Sequence, residues 1–172
     1  MTFGAKSFWE WAVKAYGGEG VAAACLSLQD ESGQNVPLLL WAVWLASQDI
    51  ELGESQAADA VALARSWSDE LIVPLRLLRR RLKMEVSTDD AALRLPLREK
   101  IKAIELEAER ALMTKLAMLE SGVNTEVNQN VKDVVIANLR AVSREWNEIV
   151  PEAGLSRLSE ALSEGRFLRY KG

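Results

Sequence analysis

The stretch from Val36 to Ala46, V-P-L-L-L-W-A-V-W-L-A, carries no charged residue and no hydrogen-bonding side chain except the two indoles. A helix that is apolar on every side must be covered on every side, by lipid or by other helices. A membrane span takes about 20 such residues. This run is much shorter, so its cover has to be protein. Asn35 suits the N-cap, and Pro37 falls in the first turn, where its missing N–H costs nothing. The chain is therefore expected to build a bundle around this helix, with Leu39, Leu40, Val43 and Trp44 almost wholly buried.

The flanking sequence has the helical period that such a cover requires. Ser7 and Glu10 form an S-x-x-E capping pattern ahead of Phe8, Trp11, Ala12 and Ala15, and Gly17-Gly18 ends that first helix. A second helix is expected from Val21 to Gln29, stopped at Gly33. A fourth is expected from a Ser55 cap to about Lys83, bent or broken at Pro74, which removes the bond to the Glu70 carbonyl. A fifth follows a turn at Thr88–Asp90, with Pro96 in or near its first turn and Leu97, Ile101, Ile104, Leu112 and Leu116 inward. A sixth runs from about Glu126 to Val150, with Val127, Val134, Leu139, Trp146 and Ile149 on its stripe, closed by Pro151 and Gly154. A short last helix gathers Leu155, Leu158 and Leu162. No segment alternates with period two, so no sheet is expected. The fold class is all-α, a compact single-domain bundle of six or seven helices over residues 1–172, with a basic tail at 166–172.

Composition removes several kinds of chemistry. The 172 residues contain no histidine, which eliminates His-based triads and imidazole metal sites, and one cysteine, Cys25, which cannot form an intrachain disulfide. Lys6, Glu10 and Lys14 interrupt any signal-peptide core, so a cytoplasmic protein is expected. The net charge of −4 gives no general attraction to nucleic acid or to an anionic membrane.

Several segments carry a resemblance. F-W-E-W-A (Phe8 to Ala12), G-V-A-A-A-C-L-S-L-Q-D (Gly20 to Asp30) and G-Q-N-V-P-L-L-L-W (Gly33 to Trp41), with Trp44 and Leu45, resemble a proteobacterial family classified only as a domain of unknown function. W-S-D-E-L-I-V-P-L-R-L-L-R-R-R-L-K (Trp67 to Lys83) and I-K-A-I-E-L-E-A-E-R (Ile101 to Arg110) are similar to it as well, so the likeness covers roughly residues 7 to 120. It implies an α-helical bacterial protein and brings no catalytic residues with it.

Four constellations remain. The six tryptophans, at 9, 11, 41, 44, 67 and 146, either fill the core or line an aromatic pocket between helices. Cys25, inside an alanine-rich helix and without a base, reads as a small buried hydrophobe rather than a nucleophile. Glu105/Glu109 and Glu160/Glu164 have the spacing to hold a metal over a diphosphate. However, Asp89-Asp90 does not continue into D-D-x-x-D, so neither metal nor cofactor is expected. Gln29, Asp30 and Asn35 flank the turn before the central helix, where they cap and solvate it or form a polar rim beside Trp41 and Trp44.

The main charge anomaly is Arg76, Arg79, Arg80, Arg81 and Lys83, with no acidic residue between Leu71 and Met84. Arg76, Arg79, Arg80 and Lys83 share one helical face. Either the acids of the fifth helix neutralise this stripe, or it meets an acidic protein or a phosphate-bearing ligand, with RNA a weaker option. No constellation supplies both a catalytic group and its activator. The sequence therefore favours a non-enzymatic protein-interaction domain, the alternative being a bundle that binds a small molecule or lipid diphosphate.

Overall fold

Asn35 starts the central helix as its type implies: its Oδ1 accepts a hydrogen bond from the Leu38 N–H at 3.0 Å. The computed structural model describes residues 5–83, 88–119, 123–124 and 130–168. The helices are α1 (Ala5–Tyr16), α2 (Val21–Ser32), α3 (Val36–Ala46), α4 (Glu54–Trp67), α5 (Val73–Arg81), α6 (Thr88–Ala117), α7 (Val131–Trp146) and α8 (Glu152–Glu164). A π-helical segment, Ser68–Ile72, joins α4 to α5 without a break. The fold is all-α, as expected. The one extended pairing among the described residues is a two-residue antiparallel ladder, β1 (Ile50–Glu51) with β2 (Val123–Asn124), too short to form a layer.

Helix α3 is buried from Pro37 to Ala46, enclosed by α1, α2, α4, α6 and α7. Leu39, Leu40, Val43 and Trp44 are all in the core, Trp44 at 2% exposure. Trp44 packs against Phe8 of α1, with ring centroids 5.1 Å apart. On α4 the buried positions are Ala57, Ala60, Val61 and Ala64, and such small side chains let a neighbouring backbone come close. Gly154 in α8 serves the same purpose: a Cβ there would lie 2.6 Å from Leu28 Cδ2, so α2 and α8 pack only over a glycine. Gly33, at φ 62°, makes the left-handed stop of α2 and lets the Gln34 N–H reach the Leu28 carbonyl at 3.0 Å.

One buried polar side chain ties the connections to the core. Asn138 of α7 is fully buried. Its Nδ2 donates to the carbonyls of Ala42 (3.1 Å) and Ile50 (2.9 Å), and its Oδ1 accepts from the Leu52 N–H (2.8 Å). A single amide thereby fixes α3, β1 and the approach to α4.

Several expectations need correction. Helix α1 is already formed at Ala5, so Ser7 lies inside its first turn rather than at its cap. Helix α4 opens at Glu54 with Gly53 as N-cap, so the cap lies ahead of the expected Ser55. At Pro74 the α-helical ladder is perturbed, but by a π turn rather than a break. The chain widens just upstream, where the Val73 N–H reaches back to the Ser68 carbonyl, and the wider turn accommodates a proline that has no N–H for Glu70. Pro96 lies well inside α6, because Asp90, Ala91 and Ala92 already extend the helix on an exposed surface, where water can satisfy the freed carbonyl. Leu97 and Ile104 are exposed, because α6 enters the core only in its last turns, through Leu112, Met113 and Leu116. Helix α7 begins at an Asn130 cap and ends at Trp146, which leaves Ile149 outside it and in solvent. The expected start near Glu126 and the inward Val127 lie outside the described residues, as do the last residues of the basic tail. Gly154 is inside α8 rather than a terminator of α7.

Two substitutions probe this core. Trp44→Ala is expected to lower unfolding free energy by about 3–5 kcal/mol. Asn138→Leu, which strands a buried N–H and two carbonyls, should cost about 3 kcal/mol or more. Urea denaturation measures both, and a loss below about 1 kcal/mol in either variant contradicts the packing described.

Candidate functional site

The arginines of α5 meet the carboxylates of α6. Arg76 Nε donates to Glu105 Oε1 at 2.9 Å, and Arg76 Nη2 to Glu109 Oε1 at 3.0 Å. Arg79 Nε donates to Glu105 Oε2 at 2.5 Å. Arg80 Nη2 reaches across to Asp30 Oδ1 of α2 at 2.8 Å, an ion pair about half exposed on both sides. Lys83 is exposed at the end of the helix. The four residues of the stripe therefore do not form one free cationic surface. Two are locked on Glu105, because α6 lies alongside α5 and presents its acids at the matching height. Arg80 and Lys83 still face solvent.

Burial and charge act in opposite directions on the two glutamates. Burial alone would raise the Glu105 carboxyl, but hydrogen bonds from Arg79 and Arg76 outweigh it and hold the group below the usual range. Glu109 is raised, because burial prevails over the attraction of Arg76 and the neighbouring Glu105 charge adds to it. The hydrogen bond to Glu105 also raises Arg79. These two glutamates, considered above as metal ligands, are thus engaged by guanidinium groups.

Beside the ion pairs lies a polar groove of about 450 Å³. The last turns of α2 supply Gln29 and Asp30, and the α2–α3 turn supplies Gln34 and Asn35. The end of α4, the π segment and α5 supply Arg65, Ser68, Asp69, Arg76 and Arg80, and the end of α7 supplies Trp146 and Asn147. Arg65 lies over the Trp146 ring, 4.6 Å from its centroid, and also donates to the Trp146 carbonyl. The Trp146 indole N–H donates to the Gly33 carbonyl at 2.8 Å, which pins the α2–α3 turn to α7. A second, mostly apolar cavity of about 300 Å³ opens between α1, α3 and α6, with Trp9, Tyr16, Leu40, Leu106 and Met113 among its walls. Gln29, Val36, Pro37 and Glu109 belong to both.

Of the polar and aromatic rim residues read from the sequence, Gln29 and Asp30 do line the groove. Trp41 and Trp44 do not: both are buried in the core, because α3 has no side that reaches the surface. Of the six tryptophans, Trp9 walls the apolar cavity and Trp146 the polar groove. The sequence reading missed Gln34, Arg65, Ser68 and Asp69. The available signal was a second amide beside the Asn35 cap and a proline whose strain had to be absorbed one turn upstream. Cys25 is fully buried, and burial pushes its thiol up to about 12, so it stays protonated near neutral pH.

The lash between α5 and α6 has a pH signature. Glu105→Gln should lower stability by about 1.5–3 kcal/mol near pH 7, the usual worth of a hydrogen bond to a charged group. Because the Glu105 carboxyl is lowered in the folded state, its contribution is present above the ordinary carboxylate range and is lost as pH falls through the lowered value. Glu109, being raised, has the opposite sign: its ionisation removes stability as pH rises through the raised value. In urea melts the Glu105→Gln deficit should therefore shrink near pH 3, below the usual Glu value of about 4.3, while Glu109→Gln should be tolerated at neutral pH. A Glu105→Gln deficit independent of pH contradicts this assignment.

The sequence model of a family described as "Protein of unknown function (DUF2390)" matches residues 7–116, close to the stretch over which the resemblance was read. No curated protein and no solved structure matches the chain.

Proposed function

Since the chain belongs to the DUF2390 family, which comes with no described activity, its function has to be read from its surface, and we propose that it is a non-enzymatic protein-interaction domain. The docking surface is the hairpin formed by α5 and the first half of α6, and the partner is an acidic, amphipathic segment of another protein.

The observation that carries this reading is the apolar exposure of the hairpin. Helix α5 has no buried residue. Leu77 and Leu78 are exposed on it, and Leu93, Leu95, Leu97 and Ile104 on α6, with Leu93 at 70% and Leu95 at 61%. Leu93, Leu97 and Ile104 are spaced by four and seven, so they form one helical face. An isolated exposed leucine needs no explanation, but a cluster on one pair of helices marks an interaction site.

Charge specifies the partner. From Arg76 to Lys102 the sequence has nine Lys/Arg against four Asp/Glu, in a chain whose net charge is −4. Arg76 and Arg79 are consumed by Glu105, whereas Lys83 is exposed and Arg80 is held only by the half-exposed pair with Asp30. Such a surface steers acidic partners to an apolar landing site.

A photo-crosslinking residue placed at Leu95 is expected to capture an acidic protein, with yield falling as salt rises. The same residue at Arg157, exposed on α8, should not capture it. The pair Leu93→Asp and Leu97→Asp should abolish capture while changing stability by about 0.5 kcal/mol or less, as exposed sites do. Equal capture from both positions, or capture that survives the double variant, contradicts the proposal.

A further inference from the structure

The groove at the α2–α3 turn contains a polar group that the protein itself does not satisfy. Gln34 lines it at 3% exposure, and its Nε2 is buried with no hydrogen-bond partner among the described residues. A donor buried in this way is costly unless an acceptor reaches it. The groove adjoins the apolar cavity, and Gln29, Val36, Pro37 and Glu109 line both.

The charged lining determines what kind of head group fits. Arg76 is committed to Glu105 and Glu109, and Arg65 to the Trp146 carbonyl. Arg80 is held only by Asp30, in an ion pair about half exposed on both sides, and such pairs exchange partners at little cost. Across the lining, Arg65, Arg76 and Arg80 balance Asp30, Asp69 and Glu109, so net charge does not select the ligand. Two donors in the lining are open to new bonds, the Gln34 amide N–H and the Arg80 guanidinium, with Asp69 on the π-segment side of the groove. A head that only accepts hydrogen bonds matches them, and a carboxylate is such a head. The neighbouring cavity, walled by Trp9, Leu40, Leu106 and Met113, takes a hydrocarbon chain or ring. The π segment at Ser68 lies against the same groove, in keeping with the frequent placement of π turns at functional sites.

We propose that groove and cavity together form a binding site for a small amphiphilic carboxylic acid, its carboxylate on Gln34 and Arg80 and its apolar part among Trp9, Leu40 and Met113. The groove shares Leu77 and Arg80 with α5, whereas Leu93, Leu95 and Leu97 of α6 line neither groove nor cavity, so the Leu93 and Leu97 variants test the docking reading apart from this site.

The test uses the full chain and octanoate as probe, followed by tryptophan fluorescence, since Trp9 walls the cavity, and by thermal unfolding. Octanoate should bind saturably and raise the melting temperature. Octylamine and 1-octanol at equal concentration should bind at least about 10-fold more weakly, the equivalent of one well-made polar contact. Acetate, which lacks the chain, should not bind detectably. Arg80→Gln and Gln34→Leu should each weaken octanoate by a similar factor, and Val13→Trp, at an exposed wall of the cavity, should block it. If Gln34→Leu proves unstable, the other two variants carry the test, because both lie at the surface. The proposal is overturned if octanoate fails to saturate, if the three eight-carbon heads bind alike, or if Arg80→Gln and Val13→Trp bind octanoate like the parent.

Discussion

Helix α3 has no side that can face water, and the positions of the other elements follow from covering it. Leucine, valine and tryptophan side chains point outward from it in every direction, so α1, α2, α4, α6 and α7 must each bring an apolar face to it. Burial of this kind is non-directional and would tolerate sliding. Asn138 removes that freedom. Its three hydrogen bonds hold α7 to the carbonyl of Ala42 on one side and to the Ile50–Leu52 connection on the other, so the register of the centre is set by polar geometry within an apolar surround.

The hairpin of α5 and the first half of α6 is organised differently. It buries no leucine deeply, and α5 is tied to α6 by Arg76 and Arg79 on Glu105, just past the midpoint of α6. A partly buried ion cluster is a weaker source of stability than a core, but it fixes orientation. The consequence is a structure in two tiers. A tightly packed body carries the apolar cavity and most of the groove, which α5 completes with Arg76, Leu77 and Arg80, and α6 carries Leu93, Leu95 and Leu97 outside both.

The central helix was legible in the sequence because its signal was local and unambiguous: an Asn cap, a first-turn proline and an unbroken apolar run. The burial of Cys25, Trp44, Leu112 and Leu139 followed from the same logic. Misreadings arose wherever a position depends on partners distant in sequence. Leu97 and Ile104 have the spacing of core residues, yet they lie where α6 has left the core. Trp41 and Trp44 sit near Gln29 and Asp30 in sequence, but the all-round burial of α3 takes them out of the groove. The arginine run was visible, and so were the glutamates that answer it. Which arginines they take depends on how α5 and α6 align, which no local pattern encodes. Gln34 was passed over because an amide beside a helix cap looks like part of the cap until the environment of its Nε2 is known.

The two-tier account makes one claim about the whole molecule: α3 opens only when the bundle unfolds, whereas α5 and the first half of α6 open locally. Native-state hydrogen exchange read by mass spectrometry measures this directly, segment by segment. Peptides covering Leu38 to Ala46 should be the slowest to exchange, at a rate set by global unfolding. Peptides covering Val73 to Arg81 and Leu93 to Ile104 should exchange much faster and independently of them. Equal protection in the two groups would contradict the account, because it would mean that the hairpin is part of the core.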